Sequence, residues 1–253
     1  DLCPYVYDGK YIAEEGFSSL PVIDYTASGA TGPLTEGTFA LRATFEWPDG
    51  QGNRHESAPS LPVSVVLSGG GTFQLSALVR QLRQTWKAGA KLVLWRTEAN
   101  GSLYYRDSEY ANDVQASGEL LVTVAKTDAE LISQELLYTT GEQLQNDPMP
   151  PCKYLAIHQN RIVGVGLLDP YSLFVSFLPD EGYPPTYNAS VNAGSAVPQL
   201  WGTLTAAAGL DDKLLLFGTN CSGYIFGEGP NLYGQGTTYS RPAVFAEGIG
   251  LPA

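Results

Sequence analysis

Residues 38–47 read TFALRATFEW. Phe39, Leu41, Ala43 and Phe45 fall on one side of an extended chain, and Ala40, Arg42, Thr44 and Glu46 fall on the other. Successive side chains of a strand point to opposite faces, so this period marks a half-buried β-strand. Asp49-Gly50-Gln51-Gly52 turns the chain after it. Beyond Pro59-Ser60-Leu61-Pro62 the apolar positions Val63, Val65 and Leu67 alternate again, until Gly69-Gly70-Gly71 stops the run. KLVLWRT (91–97) is a third strand. Asn100-Gly101 is a tight-turn dipeptide that folds it back onto Leu103-Tyr104-Tyr105. Residues 120–124 alternate once more. Between these strands, Leu75, Leu78, Val79, Leu82 and Trp86 stand at helical spacing, which predicts a short helix over 75–86. Residues 127–138 carry helix and strand signals together. The stretch 37–140 thus holds about six or seven short strands separated by turns, the profile of an immunoglobulin-like β-sandwich. It lacks the Cys…Trp…Cys spacing of an antibody domain.

The flanks follow a different pattern. Val6 and Tyr7, the turn Asp8-Gly9, then Tyr11 and Ile12 predict a hairpin. TASGATGP (26–33) reads as a small-residue linker, and NDPMPP (146–151) as a stiff one, because proline fixes its own φ and restricts its predecessor. These set three segments: 1–30, 31–147 and 148–253. In the last, residues 154–157 and 162–165 flank Gln159-Asn160, and residues 214–217 and 224–226 flank Asn220. Each pair predicts a hairpin followed by glycines. LFVSF (173–177) predicts another strand. A recurring unit of roughly 40–50 residues is what a propeller blade requires. At about 45 residues per blade, segments 1–30 and 148–253 hold about three blades, whereas a closed propeller has roughly four to eight. The expectation is a partial propeller-like body completed by missing chain or by partner chains.

The composition agrees with an all-β chain able to bury a core. Of 253 residues, 43% are hydrophobic and 16% charged, with 15 Tyr, 28 Gly and 17 Pro; a disordered segment has the opposite balance. Net charge is −12, and none of the three segments is net basic. Gripping a nucleic-acid backbone takes clustered Lys and Arg, so such a surface is excluded, while a wall that lets a polyanion slide past is compatible. No apolar run reaches the roughly 18–20 residues of a membrane-spanning helix. Cys3, Cys152 and Cys221 make neither a disulfide framework nor a CxxC metal motif. They read as reduced, semi-buried thiols, with one bridge as the alternative.

Five blocks, in order, carry a family resemblance: GTFALRATFEWPDGQGNRHESAPSLPVSV (37–65), KLVLWRTEANGSLYY (91–105), LLYTTGEQLQNDPMPPCKYLAIHQNRIVGVG (136–166), LFVSF (173–177) and LLLFGTNCSGYIFGEGP (214–230). Together they resemble the tail hub or nozzle proteins of short-tailed bacteriophages. In those virion components a fibronectin-type-III-like β-sandwich is inserted in a β-propeller-like body. The resemblance implies a structural, non-enzymatic protein of the phage tail, made in the host cytoplasm and assembled into the virion. Its partners would be copies of itself in a ring and other tail or portal-adaptor proteins, with DNA only as passing cargo and no membrane insertion. The N-terminal blade material is very short for that family.

Candidate chemistry is sparse, and the reading expects no catalytic residue, no cofactor and no metal. His55 and His158 are the only histidines, about 100 positions apart, each without an evident nucleophile or orienting group nearby. Glu14-Glu15, Asp180-Glu181 and Asp211-Asp212 are sequence neighbours and read as solvated loop charges. Asp107, Glu109, Asn112 and Asp113 offer hard oxygens for Ca²⁺ but miss the spacing and the glycine of an EF-hand loop. Gly227-Glu228-Gly229 and Gly234-Gln235-Gly236 lack the helix that a phosphate loop needs. The sequons at Asn100, Asn188 and Asn220 read as chance. Tyr104, Tyr105, Tyr183 and Tyr187 are candidates for stacking on a sugar or a partner protein. Two other functions fit the same residues: a secreted carbohydrate-binding or carbohydrate-active propeller with an accessory sandwich domain, and a receptor-binding module at the tail tip.

Overall fold

In a computed structural model the described residues are 4–83, 85–137, 149–177, 197–229, 231 and 239–251. They are all-β: short antiparallel sheets, none closed into a barrel, with one helical turn and one 3-10 turn. The chain divides into two compact units. One is Tyr7–Ala13 with Phe17–Gln143; the other is Asp1–Val6, Glu14–Gly16 and Leu144–Ala253.

The first turn forms where Asp8-Gly9 places it. Strands β1 (Tyr5–Tyr7) and β2 (Ile12–Glu14) pair around it. Gly9 takes φ +97°, and the Asp8 carboxylate accepts from the Lys10 and Tyr11 amides at 2.7 and 2.6 Å.

The unit built on Phe17–Gln143 packs two sheets across one core. Its strands are β3 (Ile23–Leu34), β4 (Gly37–Pro48), β5 (Arg54–Glu56), β6 (Val63–Leu67), β7 (Phe73–Arg80), β8 (Lys91–Arg96), β9 (Tyr105–Ala111) and β10 (Glu119–Thr123). One sheet runs β10-β7-β3. The other runs β5-β4-β8-β9, with β6 also on β4. As the alternation in 38–47 requires, Phe39, Leu41, Ala43 and Phe45 are fully buried, against Leu75, Ala77 and Val79 of β7, Leu92 and Leu94 of β8, and Val122 of β10.

The proline-rich bend 57–62 explains why β5 and β6 are two strands rather than one. The regular ladder to β4 is interrupted there, and two serine hydroxyls take the place of backbone carbonyls as acceptors. Ser57 Oγ accepts from the Phe45 amide at 2.9 Å and Ser60 Oγ from the Ala43 amide at 3.0 Å. The Ser57 and Ser60 amides donate to the Phe45 and Ala43 carbonyls. The β4 backbone therefore stays satisfied through the bend.

Two sequence expectations fail in this unit. The predicted helix over 75–86 is strand β7 to residue 80. Leu75, Leu78, Val79 and Leu82 fit a helical stripe, but Leu75, Ala77 and Val79 fit period 2 as well, and they are the buried set. Hydrogen bonds from β3 on one side and β10 on the other decide it, and Trp86 is left 62% exposed. The linker expected at 26–33 lies inside β3, paired residue for residue with β7 from Tyr25↔Leu78 to Ala30↔Phe73. Its small side chains leave no hydrophobic pattern to read, but they leave the backbone free to pair. Residues 127–138, ambiguous in sequence, open on helical turn α1 (Asp128–Leu131). It is held by a capping box in which Thr127 and Glu130 bond each other's amides.

The second unit carries β11 (Tyr154–His158), β12 (Arg161–Val165) and β13 (Phe174–Val175) in one sheet. Strands β14 (Leu204–Leu210), β15 (Lys213–Gly218), β16 (Cys221–Phe226) and β17 (Ala243–Glu247) form a four-stranded up-and-down sheet. Both predicted hairpins are present. Gln159 and Asn160 turn the first with φ +46° and +60°, the pair of left-handed residues a two-residue hairpin loop needs. The core joins Val163, Val165, Leu173 and Val175 to Trp201, Leu204, Leu214, Leu216 and Ile225. Strand β11 lies alongside β14. Gly209 permits this approach, since a Cβ there would stand 2.7 Å from the Ile157 carbonyl oxygen. Strands β14 and β17 went unread in the sequence: LTAAAGL and AVFAE show little alternation.

Candidate functional site

The densest polar chemistry among the described residues lies on the solvent side of the sheet β5-β4-β8-β9. Arg42, Thr44 and Glu46 alternate outward from β4, opposite Trp95, Val93 and Lys91 of β8. Arg106 and Glu109 of β9 sit opposite Trp95 and Val93. Across them comes Glu135, whose carboxylate takes both terminal nitrogens of Arg54 at 2.6 and 3.0 Å. Arg106 reaches Glu46 at 2.7 Å and Glu109 at 2.8 Å, and Lys91 reaches Glu109 at 2.9 Å. Trp95 is fully buried on this outward side. Its ring lies under Arg106 at 5.8 Å, and its indole N–H donates to Thr44 Oγ1 at 2.9 Å.

This arrangement holds a strap of the chain itself. Residues 135–137 pair with the outer edge of β9: the Arg106 amide donates to the Glu135 carbonyl and the Leu137 amide to the Tyr104 carbonyl, both at 2.9 Å. The arginines hold the strap by its carboxylate. The hydrogen bond from Arg54 keeps Glu135 below the usual carboxylate range, and Lys91 and then Arg106 do the same for Glu109. Both carboxylates are thereby held in the ionised, ion-paired form.

Glu56 differs from its neighbours. It accepts from Thr44 Oγ1 at 2.9 Å, but burial pushes its carboxyl up to about 7, against a partial pull from Arg54. A group whose pKa rises on folding stabilises the fold fully below its unfolded value near 4.5. That stabilisation is lost as pH climbs through 7. Glu56→Gln keeps the bond from Thr44 and removes the charge. Its melting free energy is expected to match the parent at pH 4 and exceed it by about 2–3 kcal/mol at pH 8.5. Denaturant titrations at the two pH values check this, and equal stabilities at pH 8.5 would contradict it.

A second polar group closes the β4–β5 turn. Burial alone would raise Asp49, but hydrogen bonds from Asn53 and His55 outweigh it and hold the carboxylate at about 2. His55 Nε2 lies 3.2 Å from Asp49 Oδ2, and its ring packs on Trp47 at 5.0 Å. Burial keeps His55 below its ordinary value, with Asp49 pulling the other way. Asp8 Oδ2 accepts from the Gly50 amide at 2.6 Å, tying the first hairpin turn to this one. Nearby, the Lys87 ammonium, 2% exposed, sits over Phe17 and Trp47 at 5.3 and 5.1 Å.

The four oxygen-bearing residues weighed as Ca²⁺ ligands diverge. Asp107 is fully buried and pairs with Arg96 Nε at 3.0 Å. Arg96 in turn donates to Asp128 at 2.6 Å and to the carbonyls of Thr97 and Lys126. Glu109 belongs to the outer network, and Asn112 is pinned to the Leu82 backbone at both ends of its amide. Glu109, Asn112 and Asp113 border an open cavity of about 290 Å³ with Thr85, Lys87 and Lys91. No group of three His, Cys, Asp or Glu converges as a metal site among the described residues.

The other sequence candidates are scattered. Glu14 and Glu15, expected in solvent, are 6% and 5% exposed. Asp211 turns β14 into β15 with φ +50°, and Asp212 is exposed and paired with Lys213. Gly227 and Gly229 take left-handed φ at the end of β16, with Tyr239 against Gly229. Asn100 caps its turn by accepting from the Thr38 amide, and Asn220 sits at the β15–β16 turn. Tyr104 lies under Arg42 at 5.1 Å. Cys152 and Cys221 are buried, and Cys221 is a free thiol. Asp180-Glu181, Tyr183, Tyr187, Asn188, Gly234-Gln235-Gly236 and Cys3 lie outside the described residues. No helix of the described residues is long and apolar enough to cross a membrane.

No protein-family model and no curated protein matches this chain.

Proposed function

We propose that the chain is a structural component of a bacteriophage virion tail, a hub or nozzle subunit acting by protein–protein assembly in a ring around the DNA channel. The five ordered sequence blocks motivate the family. Within the second unit, β14–β17 is a four-stranded meander with the strand count of a propeller blade, and the first strands of the two sheets, β11 and β14, run side by side. That is the relation expected of the inner strands of adjacent blades. Within the first unit, the order β5-β4-β8-β9 follows the C′-C-F-G order of immunoglobulin-like sheets. This favours a fibronectin-III-like module, although β10 beside β7 is a departure.

One observation carries the assembly reading. The four-stranded sheet carries large apolar side chains on both faces, with Lys213 and Ser222 among those on the outer one. Leu214, Leu216 and Ile225 fill the core, while Leu215, Phe217, Tyr224, Phe226 and Phe245 stand on the other side. Phe226 and Phe245 are 52% and 54% exposed, and Phe217 and Phe245 meet edge to face at 6.5 Å. A sheet of this kind is a middle layer, and a contiguous exposed apolar face marks an interaction surface. The net charge of −12 suits a wall along which DNA passes without being held.

The purified chain is therefore expected to sediment well above its 27.1 kDa monomer mass at micromolar concentration. Phe226→Lys with Phe245→Lys should return it to the monomer with its circular dichroism unchanged. A wild-type monomer that binds a glycan saturably would contradict the reading and favour the carbohydrate-binding alternative.

A further inference from the structure

We propose that the seam between β11 and β14 is an acid-sensitive latch, closed while His158 is neutral and opened by its protonation. The inference concerns the second unit alone and does not rest on the tail reading.

His158 ends β11 and Arg161 begins β12, directly opposite each other across the Gln159-Asn160 turn. Cross-strand partners share a face, and both side chains are buried, at 3% and 1% exposure. The imidazole fills the seam itself. Its Nδ1 lies 3.3 Å from where a Cβ on Gly209 of β14 would stand. Its Nε2 is buried and makes no hydrogen bond among the described residues. A neutral ring can leave one nitrogen unbonded at modest cost. An imidazolium there would add a second buried cation beside Arg161, with an N–H that has no acceptor.

The surrounding charges do not rescue it. Strand β12 contributes Arg161, whose Nη1 donates to the Ser176 carbonyl at 2.9 Å. Strand β14, LTAAAGL, contributes no ionisable side chain, and neither does β13. Tyr239 and Glu228 act on Arg161. Among the described residues, the anion that acts on His158 is Asp212 on the β14–β15 turn. Its side chain is 71% exposed and already paired with Lys213 at 2.8 Å, so solvent screens its pull. Burial first and Arg161 second accordingly hold His158 below its ordinary value, with Asp212 opposing. A histidine depressed by folding leaves the seam at full stability above pH 6.5. Stability then falls as pH drops from there toward the folded value.

Hydrogen–deuterium exchange of the intact chain tests this, with rates corrected for intrinsic pH dependence. Between pH 7.5 and 5.5 the opening equilibrium of amides in 154–158 and 204–210 should rise up to about tenfold. That is the ceiling for one proton with an open-state value near 6.5. His158→Gln should flatten the response. A tenfold rise that persists in His158→Gln overturns the proposal, as does an absence of change in the parent. Should that variant fold poorly, the imidazole proton resonances of the parent, assigned with His55→Gln, give a second readout. A His158 resonance titrating below 6.5 together with the exchange response supports the latch, and one titrating at or above 6.5 overturns it.

Discussion

Arg96→Leu is expected to cost the two-layer unit about 3–5 kcal/mol, because it strands a buried carboxylate. Arg96 and Asp107 are both fully buried and 3.0 Å apart. Without the guanidinium, Asp107 keeps only the Ala125 and Lys126 amides, at 2.8 and 3.3 Å. Asp128, the other carboxylate on Arg96, is 31% exposed and can turn to water. The same substitution also frees the 125–128 segment, which Arg96 fastens through the Lys126 carbonyl. Arg96→Leu with Asp107→Leu removes both charges and should recover at least half of the loss, since a buried ion pair replaced whole by apolar groups is often close to neutral. Urea titrations of the parent, the single and the double variant measure this. A single-variant loss under about 1 kcal/mol would show that the pair does not hold the unit together.

Gly223→Val is expected to break the four-stranded sheet, at about 3 kcal/mol or more. A Cβ at residue 223 would stand 2.1 Å from Trp201 Cη2 and 2.4 Å from the Ala243 carbonyl oxygen. Neither can retreat cheaply: Trp201 is 2% exposed in the core, and the Ala243 carbonyl belongs to the paired strand β17. The variant should lose the buried-tryptophan fluorescence of Trp201 and the amide protection of 214–225, while amides of 39–45 in the other unit keep theirs. Protection retained in 214–225 would contradict the packing described.

The elements legible in the sequence were those whose side chains alternate strongly or whose turns use distinctive dipeptides. TFALRATFEW could only be a strand, and Asp8-Gly9, Asn100-Gly101 and Gln159-Asn160 placed three hairpins. Small residues defeated the reading twice. Residues 26–33 and 204–210 carry too little apolar contrast to show a period, yet 26–30 and, apart from Thr205, 204–210 pair residue for residue. Leu75 to Leu82 fit two periods at once, and only the flanking strands choose between them. The polar clusters were invisible for a different reason: they are assembled by folding from distant positions. Arg54 and Glu135 are 81 residues apart and Arg96 and Asp128 are 32 apart. Conversely, the DSEYAND stretch (107–113) looks like one cluster and is dispersed, because the bulge at Asp107 breaks the alternation of β9 and sends Asp107 inward while Glu109 stays outward. Thr127-x-x-Glu130 is a capping-box signal carried by the sequence itself.

The imaging of intact phage tails by electron cryo-microscopy, with the chain located by its two-layer module and its four-stranded sheet, bears most directly on the proposed role. In that role several rotationally related copies encircle the DNA path, with the Phe226 and Phe245 face covered by neighbouring protein. Particles without the chain, or with isolated copies whose Phe226 and Phe245 face meets only solvent, would contradict it.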